Sequence, residues 1–239
     1  MPLSEAVLRE VHSMYAKFFK RVIDFVLSLL ALIVLSPVLL ILMLVGWIRM
    51  KGNPFFTQPR PGKDEKIFKL IKFRSMTCET DENGNLLPDE KRLTKYGKLL
   101  RSTSLDELPE LLNILVGDMS IVGPRPQLVR DMVFMSPAQR RRHCVRPGLT
   151  GLAQVSGRNN ITWEQKFEYD LAYIDQGITL WGDIKIIFMT VGKVFKREDT
   201  VREGTESDVD FGDWLLQKGE LTQDAYDAGQ KEAKELLGV

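Results

Sequence analysis

The run from Val22 to Ile48 constrains this chain more than any other feature. It holds a single charged side chain, Asp24, near its start. As a straight helix it is roughly 40 Å long, against a hydrocarbon core of roughly 30 Å. It is too long for a cleavable signal peptide, and no small-residue cleavage site follows it. A segment of this kind belongs in a membrane. How it sits there has two readings. Basic residues flank both ends, Lys17, Lys20 and Arg21 before and Arg49 and Lys51 after. The positive-inside rule therefore gives no direction of crossing. Ser36-Pro37 falls in the middle, where proline removes a backbone donor and bends a helix. The Ser36 hydroxyl is placed to bond a carbonyl that the proline frees. A re-entrant helix broken at Ser36-Pro37, with both ends on one face, satisfies charges and proline together. A spanning helix with a proline kink is the alternative.

Charge is distributed unevenly. The segment Glu198–Val239 carries 12 acidic and 4 basic side chains, which leaves about +9 on the remainder of a chain whose net charge is +1. A basic body attached to an apolar segment suits an anionic lipid surface or phosphate-bearing substrates. Cys78 and Cys144 are far apart and form no C-x-x-C pattern, and the only histidines are His12 and His143. A disulfide framework, a zinc site and a histidine-based triad all lack the residues they need. No Walker A loop, G-x-G-x-x-G or H-E-x-x-H pattern occurs.

Beyond the apolar run, Phe55–Gln58 and Ile67–Phe73 read as two short strands of a hairpin, separated by the turn residues Pro59–Lys63. Thr80–Lys91 is polar and loop-like, and Tyr96–Arg101 reads as helical. The next helix spans Leu105–Leu115. Ser104-Leu105-Asp106-Glu107 matches a capping box, with Ser104 as N-cap and Glu107 reaching back. That role alone accounts for both acids. Yet Pro109 falls just inside the helix, and Arg101 lies five residues before Asp106. An acid pair at a distorted helix start is also a chemical candidate, and such a start favours anions. In Gly123-Pro124-Arg125-Pro126 two prolines hold the backbone around Arg125, whose guanidinium suits bidentate phosphate contact. Arg140-Arg141-Arg142 reads as a solvated basic face. Arg146–Gly151 is rich in turn residues, and Gln154, Arg158, Asn159 and Asn160 bring several donors into one loop. Ile178–Phe195, with Trp181 and lysines interleaved, fits either a membrane interface or the domain core.

In order along the chain stand Lys20-Arg21-x-x-Asp24, Ser36-Pro37, Lys72-Phe73-Arg74-Ser75-Met76, Arg101, Ser104-Leu105-Asp106-Glu107-Leu108-Pro109, Gly123-Pro124-Arg125-Pro126, and Arg146-Pro147-Gly148-Leu149-Thr150-Gly151 leading into Gln154-Val155-Ser156-Gly157-Arg158-Asn159. Each is weak alone. The ordered set, from about Ala16 to Arg197, resembles the bacterial sugar transferase family, the monotopic polyprenyl-phosphate phosphoglycosyl transferases. The resemblance implies an α+β, mostly helical fold: a re-entrant membrane helix bent at Ser36-Pro37, interfacial amphipathic helices and a small β-hairpin. It implies a membrane segment over residues 1–50 and a catalytic part over 51–197; residues 198–239, outside the resemblance, read as an acidic helical tail. The place implied is the cytoplasmic face of a bacterial inner membrane.

The activity implied is transfer of a sugar-1-phosphate from a UDP-sugar to polyprenyl phosphate through a covalent aspartyl phosphosugar intermediate, with UMP released. Asp106 is then the nucleophile, and Glu107, with Asp106, holds Mg²⁺. Arg101 and Arg125 are the phosphate-binding candidates, with Lys72 and Arg74 behind them and Arg158 and Asn159 on the nucleotide sugar. Membrane lipid is a partner and nucleic acid is not. A phosphohydrolase using the same acids, or a scaffold binding anionic lipid, are the competing activities. The tail reads as two short helices around a glycine turn, or as a solvated acidic extension. It resembles short C-terminal oligomerisation modules, which implies a homodimer.

Overall fold

The computed structural model describes residues 14–157, 161–196 and 209–238. A π-helical turn, Tyr15–Phe19, leads into helix α1, Lys20–Arg49, which is continuous through Pro37. Pro37 has no N–H for the Ile33 carbonyl, and the Ser36 hydroxyl donates to that oxygen at 2.7 Å. The helix thus satisfies its backbone without water, as an apolar surrounding demands. It is long and apolar enough to cross a membrane, and only 6% of its most apolar stretch is buried in the protein.

The charged residues at its start hold α1 to the rest of the molecule. Lys20 Nζ lies 2.5 Å from Asp183 Oδ2, to which the Tyr15 hydroxyl also donates at 2.7 Å. Arg21 donates to the carbonyls of Ile114 and Leu115 at 2.6 and 2.7 Å. Asp24 Oδ1 accepts the Ile121 N–H at 3.0 Å. Further along, Ala31, Leu32 and Leu35 pack on a core of Phe68, Leu70, Leu111, Ile114 and Met119. Near the far end the Tyr96 hydroxyl donates to the Leu42 carbonyl at 2.8 Å. The helix is therefore held to the domain from Lys20 to Leu42.

Strands β1, Phe55–Pro61, and β2, Ile67–Phe73, form the antiparallel hairpin. β1 runs past Gln58, where the sequence predicts a turn, and includes Pro59 and Pro61. A two-stranded ribbon consists only of edges, so a strand residue without an N–H is tolerated. The turn itself is carried by Asp64 and Glu65 at φ 54° and 59°. Helix α2, Lys95–Ser102, starts at Thr94, whose hydroxyl accepts the Gly97 N–H at 3.0 Å.

The expected helix over Leu105–Leu115 is two elements. Leu105–Glu107 is a single 3₁₀ turn, and helix α3 covers Glu110–Val116 with Pro109 immediately before it. Proline thus sits at a boundary, where its missing N–H costs little. The predicted capping box does not form. Ser104 takes φ 54°, ψ 20° and makes no capping bond. A box needs an extended backbone at the cap, and the sharp reversal out of α2 forbids that. Glu107 is left to point elsewhere. α3 ends at Gly117, φ 100°, where an added Cβ would lie 3.2 Å from the Arg21 guanidinium. Helix α1 thus supplies the cation that a helix C terminus favours.

Strands β3, Ser120–Val122, and β4, Gly148–Thr150, form a short parallel pair that the sequence does not foreshadow. Helix α4, Trp163–Asp175, begins with a Thr162–Gln165 capping box. Helix α5, Leu180–Lys196, packs one face on the domain core. Ile186 joins the core of Val122, Val155, Tyr173, Ile174 and Ile178, while Trp181 and Phe188 are 77% and 74% exposed. Helices α6, Phe211–Lys218, and α7, Gln223–Leu237, flank Gly219 as predicted. They do not trail into solvent. Phe211 is buried with Met135, Trp163 and Phe167, and Ala233 with Val129 and Met132.

The arginine triplet is not a solvated face either. Arg140 pairs with Glu65 at 3.1 Å, Arg141 with Asp175, and Arg142 is fully buried. Beside it His143 is buried with both ring nitrogens unpartnered. Burial and the neighbouring Arg142 and Arg140 push its pKa down to about 3, outweighing the half-exposed Glu65 at 3.5 Å. The unfolded chain takes up this proton near pH 6.5 and the folded one near 3. The contribution of His143 to stability is whole above 6.5 and falls on acidification by about 1.4 kcal/mol per pH unit. Buried acids such as Glu110, whose pKa is raised, act with the opposite sign in this range, so the difference in thermal unfolding between wild type and His143→Gln from pH 7 to 5 should show this slope.

Candidate active site

A cavity of about 1080 Å³ opens between the hairpin, α2, the 3₁₀ turn, the Gly123–Pro126 turn and α4. Lys72, Arg74, Arg101, Asp106, Glu107 and Arg125 all line it. Six of the residues singled out in the sequence therefore meet around one space. Arg158 and Asn159 lie outside the described residues, as does Asn160. Gln154 stands on a helical turn, Leu152–Ser156, and not in a loop. It lines the cavity with both amide atoms buried and unpartnered.

Two glycine-rich motifs behind the cavity hold Arg125 in its wall. The Gly123 N–H donates to the Thr150 carbonyl and the Gly148 N–H to the Pro124 carbonyl, both at 2.9 Å. The backbones touch so closely that a Cβ on Gly148 would lie 2.1 Å from Gly123 N, and one on Gly151 2.1 Å from Gly123 O. Only glycine allows that approach. The Gly-Pro-Arg-Pro and Arg-Pro-Gly-Leu-Thr-Gly stretches are thus two halves of one device. Its product is a fixed Arg125, whose carbonyl is also held by Arg142 Nη2 at 2.6 Å.

Glu107 Oε1 accepts both Lys72 Nζ, at 2.9 Å, and Arg125 Nη2, at 2.5 Å. Burial alone would raise the Glu107 pKa, but these two cations outweigh it and hold the carboxyl well below the usual range. Glu107 in return raises the Arg125 pKa. Asp106 differs. Burial and the adjacent Glu107 charge raise its pKa, against lowering by Lys72, Arg125 and Arg101. One acid is neutralised by direct pairing, and its neighbour shares the same field without a carboxylate-to-cation bridge among the described residues. Arg101 Nε donates to Ser75 Oγ at 3.0 Å, and Arg74 Nη1 reaches Cys78 Sγ at 3.4 Å.

Several residues of the site were not read from the sequence. Glu110 is buried, lies 3.1 Å from Lys72 and is pushed up to about 7 by burial. Arg60, in Pro59-Arg60-Pro61, reaches the Pro126 carbonyl at 3.2 Å and lines the cavity. It repeats the Pro-Arg-Pro pattern of Arg125, a signal that was available. Asp170 accepts Arg142 Nε and Nη2 on Oδ2 at 3.0 and 2.6 Å. Nothing local in sequence marks that pair.

Mg²⁺ takes hard oxygen donors, usually one or two carboxylates completed by water and substrate phosphate. Both cations on Glu107 engage Oε1, so its second oxygen and the Asp106 carboxyl are donors of that kind. Among the described residues no group of three or more His, Cys, Asp or Glu converges on one point. The donor set fits Mg²⁺ shared with a phosphate-bearing ligand and does not fit a closed protein cage.

Residues 15–197 match the sequence model of the family described as bacterial sugar transferase. Among similar proteins is the uncharacterised sugar transferase EpsL of Bacillus subtilis, 48% identical over 75% of this chain and 88% of its own length. The UDP-glucose:undecaprenyl-phosphate glucose-1-phosphate transferase of Klebsiella pneumoniae is 43% identical over 82% of this chain. The undecaprenyl-phosphate galactose phosphotransferase of Salmonella typhimurium is 36% identical over 77%. The matched regions cover 43% and 42% of those two relatives, less than half of each.

Proposed function

The chain belongs to the bacterial sugar transferase family, and on that premise we propose that it transfers a sugar-1-phosphate from a UDP-sugar to polyprenyl phosphate and releases UMP. The observation that carries this is the unequal acid pair in a cation-lined cavity. Lys72 and Arg125 are committed to Glu107, while Asp106 faces the same space.

Asp106 Oδ attacks the β-phosphorus of the UDP-sugar. The bond from that phosphorus to the oxygen bridging to UMP breaks, UMP leaves, and an aspartyl phosphosugar remains. A phosphate oxygen of polyprenyl phosphate then attacks the same phosphorus, and the acyl phosphate bond breaks to restore Asp106. Carboxylates support this kind of covalent step. A diphosphate repels a carboxylate unless its charge is offset, and Arg101 and Arg74, with the part of the Lys72 and Arg125 charge that Glu107 leaves uncancelled, supply that offset. Mg²⁺, held by Asp106 and Glu107, adds charge neutralisation on the phosphoryl oxygens when bound. The pairing of Glu107 with Lys72 and Arg125 fixes the positions of all three before substrate arrives.

The membrane helix positions this chemistry at the cytoplasmic headgroup level of the inner membrane. Arg21 and Leu42, both hydrogen-bonded to the catalytic part, are 21 residues apart, about 30 Å of helix. A crossing helix would place those two anchor points on opposite sides of the hydrocarbon. A re-entrant course, in which α1 stays helical but kinks at Ser36-Pro37 with Leu35 still on the domain core, keeps both on one side. The exposed apolar faces of α1 and α5, including Ile33, Val34, Trp181 and Phe188, then face lipid.

The test is UMP release from a panel of UDP-sugars with Mg²⁺, with and without polyprenyl phosphate. Turnover beyond one equivalent only with the lipid is expected. Sustained release without it would replace this reading with a phosphohydrolase. Lipid binding with no release from any UDP-sugar would leave a scaffold.

A further inference from the structure

We propose that the C-terminal helical pair, α6 and α7, is a positioning element of the nucleotide-sugar cavity. It sets the wall between Arg125 and Trp163 and through it the affinity for the nucleotide sugar. The inference rests on the transferase reading above. The pair lies outside residues 15–197 that match the family, so this is a device of the present chain beyond the matched catalytic part.

The pair grips the wall at two places. The Phe211 N–H donates to Asp131 Oδ1 at 2.8 Å, and Trp163 Nε1 donates to the Val209 carbonyl at 3.0 Å. Asp131 and Trp163 both line the cavity, and Asp210, between the two gripping residues, lines it as well and pairs with Arg130. Asp131 also accepts the Leu128 N–H at 3.2 Å on its other oxygen. The short segment Gln127–Asp131, which leads out of the Gly-Pro-Arg-Pro turn, is thus gripped by the tail on one side and bounds the cavity on the other.

A shape-specific lock holds the pair down. The Phe134 ring sits between Gly212 of α6 and Gly229 of α7, where an added Cβ would lie 2.5 and 2.3 Å from ring carbons. Tyr226 stacks on the same ring at 5.7 Å between centroids and near-parallel. Two helical glycines cost stability in themselves, so their placement on one ring marks a fitted contact. The acidic charge of the tail against a basic body adds attraction.

The test uses the full chain and three variants: Gly229→Val, Phe134→Ala and the two combined. Gly229→Val drives a side chain into the Phe134 ring and releases the pair, which limited proteolysis after Lys218 reports. The KM for the UDP-sugar should rise about tenfold, while kcat at saturation and the KM for polyprenyl phosphate stay within about threefold. Phe134→Ala in the Gly229→Val background makes room for the valine. It should restore both protection and KM. A released tail with an unchanged KM would overturn the proposal, as would equal loss in all three kinetic constants, the mark of a general structural role. Wild-type protein inactive with every UDP-sugar would overturn the transferase reading and this one with it.

Discussion

Asp106→Asn should fold like the wild type and lose turnover by on the order of a thousandfold or more, the scale seen when a covalent nucleophile is removed. The amide is nearly isosteric and cannot form the acyl phosphate. Folding is expected to be preserved because Asp106 is a charge that its surroundings oppose, through burial and through Glu107. Removing it relieves that repulsion, so the melting temperature should be equal or higher. UMP release and thermal unfolding on the same preparation separate the two effects. Activity within about tenfold of wild type would remove Asp106 from the chemistry.

Arg142→Met carries the largest expected effect on stability. Arg142 and Asp170 form a buried pair, with side chains 1% and 3% exposed. Removing one partner of such a pair leaves an uncompensated buried charge and costs about 3–5 kcal/mol. The double variant Arg142→Met/Asp170→Leu should recover much of that loss, because an apolar replacement of a buried pair is often neutral or better. Turnover should not return with it. Arg142 Nη2 also holds the Arg125 carbonyl, and no apolar side chain replaces that bond. Denaturant unfolding in detergent measures the first expectation and UMP release the second. A double variant that regains full activity would show that the Arg125 turn needs no support from Arg142.

The sequence alone carried the long apolar helix, because an apolar run of that length is a property of neighbouring residues. It carried the Ser36 hydroxyl on the freed Ile33 carbonyl, a contact within one turn. The hairpin and the body of α2 were readable for the same reason, since alternation and helical pattern are local signals, whereas the Thr94 cap came from the structure. Lys72, Arg74, Arg101, Asp106, Glu107 and Arg125 were legible as an ordered set of motifs, although no spacing rule says that they converge. What the tertiary structure decided was every relation between distant segments. Ser104 lost its cap because the chain had to reverse out of α2. Glu107 turned to Lys72 and Arg125, 35 and 18 residues away. Arg142 looked solvated within a basic triplet, and its burial depends on Asp170, 28 residues on. The tail read as solvent-exposed from its acidity, yet Gly212 and Gly229 have meaning only against the Phe134 ring. Helix, strand and membrane preference are properties of neighbours along the chain. A neutralised acid beside an unpaired one is a property of charges brought together through space, and only packing specifies which of the two it will be.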